Sequence, residues 1–559
     1  MSEQFQELNV ADFFYKNKDL VGFDSPHKAT YMIVRELVEN SLDACDGHKI
    51  LPDVRVTLYR VEGAGAQERY HVKIVDNGIG VPLEAVPYAF GKVLFGSKYS
   101  MRQNRGTFGL GGKMSLLYGQ ITANSRVLIT TSQGGSKVYT FELSTDIRTN
   151  TPIIYRREEA DNKSHFRGVK IEFDFEGDYG KARDKIIEYF YESAMILPYA
   201  QLTFIDPNGT LLFYPRITEK MPNPPLETLP HPHGVDLEML KRMIATNPHT
   251  SLLVFLSKNF QRVGERTAKA FLRSNGFDPH AEVSELNTKQ LTKLVTALRE
   301  YSEFLPPDPS CLSPIGEDLL TEGIKRLLSP DHVVVTTRPP RAYEGNPFIV
   351  EVGIAYGGAI APPDKPGKVQ LFRFANKIPL LYDEYSDVAM SVIQGINWNQ
   401  YKVKLDEAPI AFITHVCSTK VPYKTAGKEY VAARPEVERE LDLAIKQAAR
   451  ELRVKLSRME KAAYRERRTE VLKKYLSMMA SFSTFLAEKE KEPDISALLM
   501  EGGPKRKRIK LKAVEVDPPG GEASEEDVRP ASAGSPAGKN REKKSKSKSE
   551  GDSGGKKRR

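Results

Sequence analysis

Three short segments, in fixed order within the first quarter of the chain, constrain it more than anything else. They are Arg35-Glu36-Leu37-Val38-Glu39-Asn40-Ser41-Leu42-Asp43-Ala44, Asp76-Asn77-Gly78-Ile79-Gly80 and Gly106-Thr107-Phe108-Gly109-Leu110-Gly111-Gly112-Lys113. The first lies in a stretch without Gly or Pro from His27 to about Asp46, preceded by Ser25-Pro26. Serine is a good N-cap and proline fits the first helical turn. Tyr31, Val34, Leu37, Val38, Leu42 and Cys45 recur at helical spacing, which predicts a helix. On that helix Glu36 and Asn40 are four apart and share a face, with Asp43 close by. The face carries a carboxylate able to orient or deprotonate a water. It also carries an amide oxygen of the kind a hard cation such as magnesium accepts. A plain solvated helix face would use the same residue types.

The second segment closes a stretch, His71 to Asp76, that reads as a buried strand ending in a carboxylate and a Gly-rich turn. A carboxylate there can accept a hydrogen bond from the exocyclic amine of adenine. Gly78 and Gly80 let backbone approach a planar ring without a Cβ in the way. An ordinary Asp-Asn-Gly turn is the bland alternative. The third segment feeds an apolar helical run, Met114 to Tyr118, and Gly-rich backbone before a helix N-terminus presents N–H groups to an anion. Lys98 and Lys113 can add point charges. The segment is neither a Walker A loop nor a dinucleotide fingerprint, because the pattern and the βαβ context are absent. A flexible surface loop is its bland alternative. In this order the three supply a base, a magnesium ligand, an adenine reader and a phosphate cradle, which is what ATP hydrolysis needs.

These residues resemble the Bergerat ATP-binding fold shared by gyrase, the heat-shock chaperone of that class, histidine kinases and MutL. More narrowly, the chain resembles the B subunits of type IIB DNA topoisomerases (topoisomerase VI) over roughly residues 5–495. The strings that carry the narrower likeness are Phe13-Phe14, Gly22-Phe23-Asp24, Arg338-Pro339-Pro340, Gly345-Asn346-Pro347-Phe348, Gly357-Gly358, Arg373 to Leu380 and Val421 to Glu429. The resemblance implies that Glu36 activates the attacking water, Asn40 binds Mg2+ and Asp76 contacts adenine. It makes Gly106, Thr107, Phe108, Gly109, Leu110, Gly111, Gly112 and Lys113 the lid over ATP. Gly78, Gly80, Ser97 and Lys98 complete the expected nucleotide-binding set. Lys428 resembles the transducer lysine that reaches the γ-phosphate, with Lys424 as its competitor. Two strings depart from the family. Many archaeal members carry Gln-Gln-Gly-Ile-Gly in the lid, and Gly168-Val169-Lys170 stands where the family has Gly-Thr.

The expected fold is α+β and multidomain: a Bergerat-fold ATPase, an α/β sandwich, over 1–228; a helix-two-turns-helix insert over 229–308; a transducer over 309–495; and a disordered basic tail over 496–559. The strand candidates Leu128–Thr131, Val138–Leu143 and Val169–Phe175 suggest a mixed or antiparallel sheet. The Pro-rich stretch from Met221 to His233 reads as a linker, its two histidines included. Helices are expected over Leu237–Ala245, Glu265–Ser274, Val283–Thr288 and Thr288–Glu300. In the insert, Arg262, Arg266, Lys269 and Arg273 are of the type that meets phosphates. Transducer strands are expected at Val333–Thr336, Phe348–Ala355, Val369–Phe374 and Ile410–Val416. From about 434 to 490 a Gly-free stretch reads as one stalk helix of about 80 Å. Its apolar stripe runs from Val437 through Leu441, Ile445, Ala448, Leu452 and Leu456 to Met459. The end of the stalk, from Val471 to Phe485, is apolar enough to grip a partner.

Residues 501–559 hold 17 Lys/Arg against 10 Asp/Glu, which leaves a net of only +2 for the rest of the chain. The tail composition, poor in aromatics and rich in Lys, Ser, Gly and Pro, predicts disorder, and Pro504 to Arg508 resembles a nuclear-import or nucleic-acid patch. Three scattered cysteines form no zinc spacing or disulfide framework. No apolar run is long enough to span a membrane, and the first residues lack the form of a secretion signal. The resemblance implies ATP and Mg2+ as cofactors and self-dimerisation on ATP binding. It implies a heterotetramer of two B and two DNA-cleaving A subunits acting on double-stranded DNA, in the cytoplasm with the nucleoid or in a nucleus. The implied activity is ATP-gated passage of one duplex through another, relaxing supercoils and decatenating DNA. The rival is an ATPase clamp of mismatch-repair or chaperone type without a cleaving partner, which would lack the helical insert.

Overall fold

The computed structural model describes residues 12–13, 17, 22–61, 68–96, 101–106, 110–424, 427–488, 491 and 494–495. The N-terminal part is one eight-stranded sheet with helices packed on one face. Helix α1 (Pro26–Asp46) starts with Pro26 in its first turn, and the Ser25 hydroxyl donates to Asp24 rather than capping the helix. It is followed by β1 (Asp53–Arg60), β2 (Arg69–Asp76), α2 (Val86–Gly91), α3 (Gly111–Ala123), β3 (Val127–Gln133), β4 (Lys137–Asp146), β5 (Thr151–Asp161), β6 (Arg167–Glu176), α4 (Tyr179–Ile196), β7 (Gln201–Ile205) and β8 (Leu211–Tyr214). The strand order is β5-β4-β3-β6-β2-β1-β7-β8, antiparallel at every pairing except β1 with β7. The sheet is therefore mixed, as expected, and β1, β5, β7 and β8 join the strands that periodicity picked out.

Alternation explains the layering. Val54, Val56 and Leu58 of β1, and Tyr70, Val72 and Ile74 of β2, point to the helices and are buried. The intervening residues face the other side, since successive side chains alternate. Helix α1 is buried along most of its length, between the sheet and α3 and α4. This puts its polar residues, Glu36 included, under the same cover as its core residues.

A compact helical unit follows: α5 (Leu237–Thr246), α6 (Leu252–Asn259), α7 (Glu265–Ser274) and α8 (Thr288–Glu300), closed around its own core of Phe255, Phe271, Leu294 and Phe304. The stretch 283–285 is a single 3-10 turn and not an α-helix, because Asn287 caps α8 immediately after it. His231 and His233 fasten the linker. Their ring Nε2 atoms lie 2.9 and 3.0 Å from the carbonyls of Leu305 and Tyr301. Arg262, Arg266, Lys269 and Arg273 are all exposed, and Arg262 pairs with Asp308 at 3.3 Å.

The next part is built on α9 (Glu317–Leu328), β9 (His332–Thr337), β10 (Arg341–Tyr343), β11 (Asn346–Tyr356), β12 (Gln370–Ala375), β13 (Ile378–Pro379), α10 (Val388–Gly395), β14 (Ile410–Ser418) and α11 (Pro435–Leu486). A six-stranded sheet runs β10-β11-β14-β12-β13, with β9 on β11. Strands β11 and β14 are buried on nearly every residue, because α9 covers one face and the first half of α11 the other. The stripe on α11 is buried from Val437 through Leu456, while Met459 is exposed. Residues from Arg468 onward form a separate unit. Within it Val471, Tyr475, Met478, Met479, Phe482 and Phe485 are exposed on the last turns of α11. Cys45, Cys311 and Cys417 are buried free thiols, and among the described residues no helix is long and apolar enough to cross a membrane. The tail beyond residue 495 lies outside the described residues.

Candidate active site

A cleft of about 280 Å3 opens between α1, the end of β2 and the start of α3. Asn40, Asp76, Gly80, Gly112 and Lys113 line it, with Ile79, Leu116 and Val169 as apolar walls. Pockets of this mixed character, mostly apolar with a few convergent polar groups, are where small ligands bind.

Asp76 sits at the bottom, 6% exposed. Its Oδ1 accepts from the backbone N–H of Gly78 at 2.9 Å and of Val169 at 3.1 Å, and its Oδ2 accepts from the Ser41 hydroxyl at 2.8 Å. Burial raises its pKa above the ordinary carboxylate value against the pull of those donors. Gly80 has φ +72, and a Cβ there would meet the carbonyl oxygen of Ser132 at 2.2 Å. A Cβ on Gly78 would meet that of Ala44 at 2.9 Å. The packing of the turn on β3 and α1 by itself already leaves no room for a Cβ at either glycine.

Glu36 and Asn40 rise on the facing side, on α1. The first turn of α3 presses on both: a Cβ on Gly111 would overlap the Glu36 carboxylate, and one on Gly112 would come 2.5 Å from Nδ2 of Asn40. Leu110 is the N-cap of α3 and gives that helix no side-chain cap. A helix N-terminus carries partial positive charge and unpaired donors, the features an anion needs. Lys113 lines the cleft, with its side chain engaged by backbone. Its ammonium donates to the carbonyls of Lys92, at 2.6 Å, and of Phe95, and burial pushes its pKa down to about 8. Gly106 lies at the edge of the described lid, and Ser97, Lys98, Thr107, Phe108 and Gly109 lie outside the described residues.

A loop that follows the last strand of the second sheet returns to α1 beside this cleft. Nζ of Lys428 lies 3.7 Å from Oε1 of Glu36 and 3.1 Å from Oε2 of Glu39. Lys424, the competing lysine, is exposed. Glu39 is also paired with Arg35 at 2.6 Å. Burial works against its charge, but Lys428 and then Arg35 hold its pKa below the ordinary value.

A second buried cluster joins the lid base to the transducer. Arg105, directly before Gly106, donates to Asp43 at 3.1 Å and to Asp46 at 2.7 Å. Lys377 reaches Asp46 at 3.7 Å and the hydroxyl of Ser313 at 3.0 Å. The Gln103 side chain bonds both the N–H and the carbonyl of Ser313. Sequence reasoning missed Arg35, Glu39, Ser41, Arg105 and Lys377. The i, i+4 spacing of Arg35 and Glu39 was a visible signal. For Arg105 and Lys377, far apart in the chain, no local pattern announces the partnership.

A cleft on a mixed sheet, next to a helix whose acids meet a lysine from a second α/β domain, is the arrangement of an ATPase domain joined to a transducer. Residues 27–147 match the family described as histidine kinase-, DNA gyrase B- and HSP90-like ATPase, and residues 307–468 match the topoisomerase VI B subunit transducer. The chain is 43% identical over 493 residues to the B subunit of the type 2 DNA topoisomerase 6 of Metallosphaera sedula, spanning 88% of this chain and 92% of that one. The same share is covered at 42% identity by the corresponding subunits of Saccharolobus islandicus and Saccharolobus shibatae. The chain belongs to the family of type 2 DNA topoisomerase 6 B subunits. It is an ATP-binding, ATP-hydrolysing B subunit of a type II topoisomerase, and the clamp of mismatch-repair or chaperone type is not favoured.

Proposed function

We propose that Glu36 is the base that takes the proton of the attacking water, Asp76 the acceptor for the adenine amine, and Lys428 the group that senses the γ-phosphate. The reading rests above all on one contact: the Lys428 ammonium, carried by the transducer, stands 3.7 Å from the Glu36 carboxylate. A change of charge at the terminal phosphate would thereby be felt directly by the second domain. Gly106–Lys113 close over the phosphates, with Ser97 and Lys98 beside them, and the N-terminal N–H groups of α3 accept negative charge.

Magnesium fits this donor set as a cation that arrives with the nucleotide. Among the described residues no three His, Cys, Asp or Glu groups stand close enough to hold a metal themselves. Asn40 supplies one amide oxygen, and such a cation commonly takes the rest of its shell from phosphates and water. Its contribution when bound is to neutralise charge on the triphosphate.

The division 1–228, 229–308 and 309–495, with the tail 496–559, is proposed on the separate cores of the helical insert and of the second sheet. Two such chains dimerise on ATP binding and hold two A subunits, which cut DNA, through the exposed apolar end of α11. Hydrolysis then gates passage of one duplex through another, relaxing and decatenating DNA, in a nucleoid or nucleus. The test is co-purification with a candidate A subunit followed by ATP-dependent decatenation. Decatenation that is lost with Lys428→Ala while the complex still forms supports the reading. Equal activity of that variant overturns the role of Lys428, and failure to bind any A subunit overturns the assembly.

A further inference from the structure

We infer that Glu39 is a positioning residue of the ATPase reaction: held by Arg35, its carboxylate keeps the Lys428 ammonium beside Glu36 while taking the hydrogen bond that the base would otherwise receive. The inference rests on the reading of Lys428 given above and deepens it.

The geometry is a row of four alternating charges along α1 and the returning loop. Arg35 Nε donates to Glu39 Oε1 at 2.6 Å, and Lys428 Nζ donates to Glu39 Oε2 at 3.1 Å with Glu36 Oε1 farther off at 3.7 Å. Both oxygens of Glu39 are therefore used, each by a different cation. The Arg35 and Glu39 side chains are 3% and 2% exposed, so neither cation competes with bulk water for them. The same platform holds the loop on either side of the lysine. Arg35 Nη1 donates to the carbonyl of Gly427 at 3.0 Å, and Lys28 pairs with Glu429 at 3.3 Å. Lys428 itself has φ +57, a left-handed backbone uncommon for a residue with a side chain. Such a conformation persists where surrounding contacts over-determine it.

The chemistry explains why a second acid is needed. A lysine is a compact charge on a flexible four-carbon stem, and its position is set by its partner. Were Glu36 its nearest acid, the ammonium would settle on that carboxylate. It would then occupy a lone pair that has to receive the proton of water, and lower the basicity on which proton transfer depends. Glu39, the closer acceptor, draws the ammonium aside.

The test compares Glu39→Gln, Lys428→Ala and the double variant in the full chain, by ATPase turnover against pH and by ATP affinity. Glu39→Gln is expected to lower kcat about tenfold with KM changed by less than about twofold, a loss confined to the transition state. The acidic limb of its kcat profile moves to lower pH. The double variant should be no slower than Lys428→Ala alone, because the two residues act as one unit. Removal of Glu39 leaves Arg35 buried without its partner, so Arg35→Met/Glu39→Gln, which leaves no unpaired charge, should show the same loss. Wild-type kcat and pH profile in Glu39→Gln, recovery in the Arg35→Met/Glu39→Gln variant, or additive losses in the double variant would overturn the inference alone. Normal turnover in Lys428→Ala would overturn the reading beneath it and the inference together.

Discussion

Gly111 and Glu36 are in contact without an intervening side chain: a Cβ on Gly111 would lie 1.7 Å from Oε2 of the carboxylate. Helix α3 therefore begins against Glu36, the proposed base, and the position of one defines that of the other. Gly111→Ala must displace either α3 or Glu36. ATPase turnover is expected to fall by about two orders of magnitude, the scale of a misplaced reacting group, with the fold retained by circular dichroism. Wild-type turnover in this variant would show that the contact is not present in the working enzyme.

Glu36→Gln keeps the volume of the side chain and removes its basicity. Nucleotide affinity is expected to stay within about twofold while turnover drops at least about 100-fold, the lower range for loss of a general base. Calorimetry with a non-hydrolysable ATP analogue and a phosphate-release assay separate the two.

Asp76→Asn is tolerated by its neighbours, since the amide oxygen can still accept from Gly78 and Val169 and the Ser41 hydroxyl can turn to accept from the new amide. The amide then presents a donor where adenine also presents one. Affinity for ATP should fall about 10- to 100-fold, the worth of a hydrogen bond to a charged group, with little change in thermal stability. Unchanged affinity would remove Asp76 from base recognition.

The buried Arg105 links Asp43 and Asp46 of α1 at the root of the lid. Arg105→Met leaves two buried carboxylates facing one lysine. Breaking a buried pair by removing one partner costs about 3–5 kcal/mol. The midpoint of denaturant unfolding should drop accordingly, and a midpoint equal to wild type would mean the cluster is solvated.

Acid should act through Glu39. Its folded pKa lies below the ordinary 4.5 because Lys428 and Arg35 outweigh burial. A carboxylate of this kind contributes stability above its unfolded pKa and loses it as the pH falls through the folded value. The stability gap between wild type and Glu39→Gln should thus be full at pH 6 and shrink below about pH 4.5, measured by thermal unfolding across that range. A gap independent of pH would show that Glu39 does not titrate with folding.

Most of the proposed site side chains could be placed on their elements from the chain alone, because local rules govern them. Glu36 and Asn40 share a face by helical spacing, Asp76 ends an alternating strand, and the glycines precede an apolar helix. The buried stripe of α11 followed its period through Leu456 and stopped at Met459, where the covering sheet ends. Gly78 and Gly80 were recognised as positions without room for a Cβ, and Ala44 and Ser132, which exclude it, lie far from them in the chain.

Local sequence determined the helix that carries Glu36, the strand that ends in Asp76 and the two-sheet, helix-insert order of the chain, since helical and strand periods are set by nearest neighbours. Tertiary structure alone decided that Lys428 rather than Lys424 meets Glu36, that Glu39 shares that lysine with Arg35, and that Lys377 closes on Asp46. These pairs are hundreds of residues apart or lie within a buried row. Which charges meet there depends on how two sheets and a returning loop pack, and no periodicity carries that information.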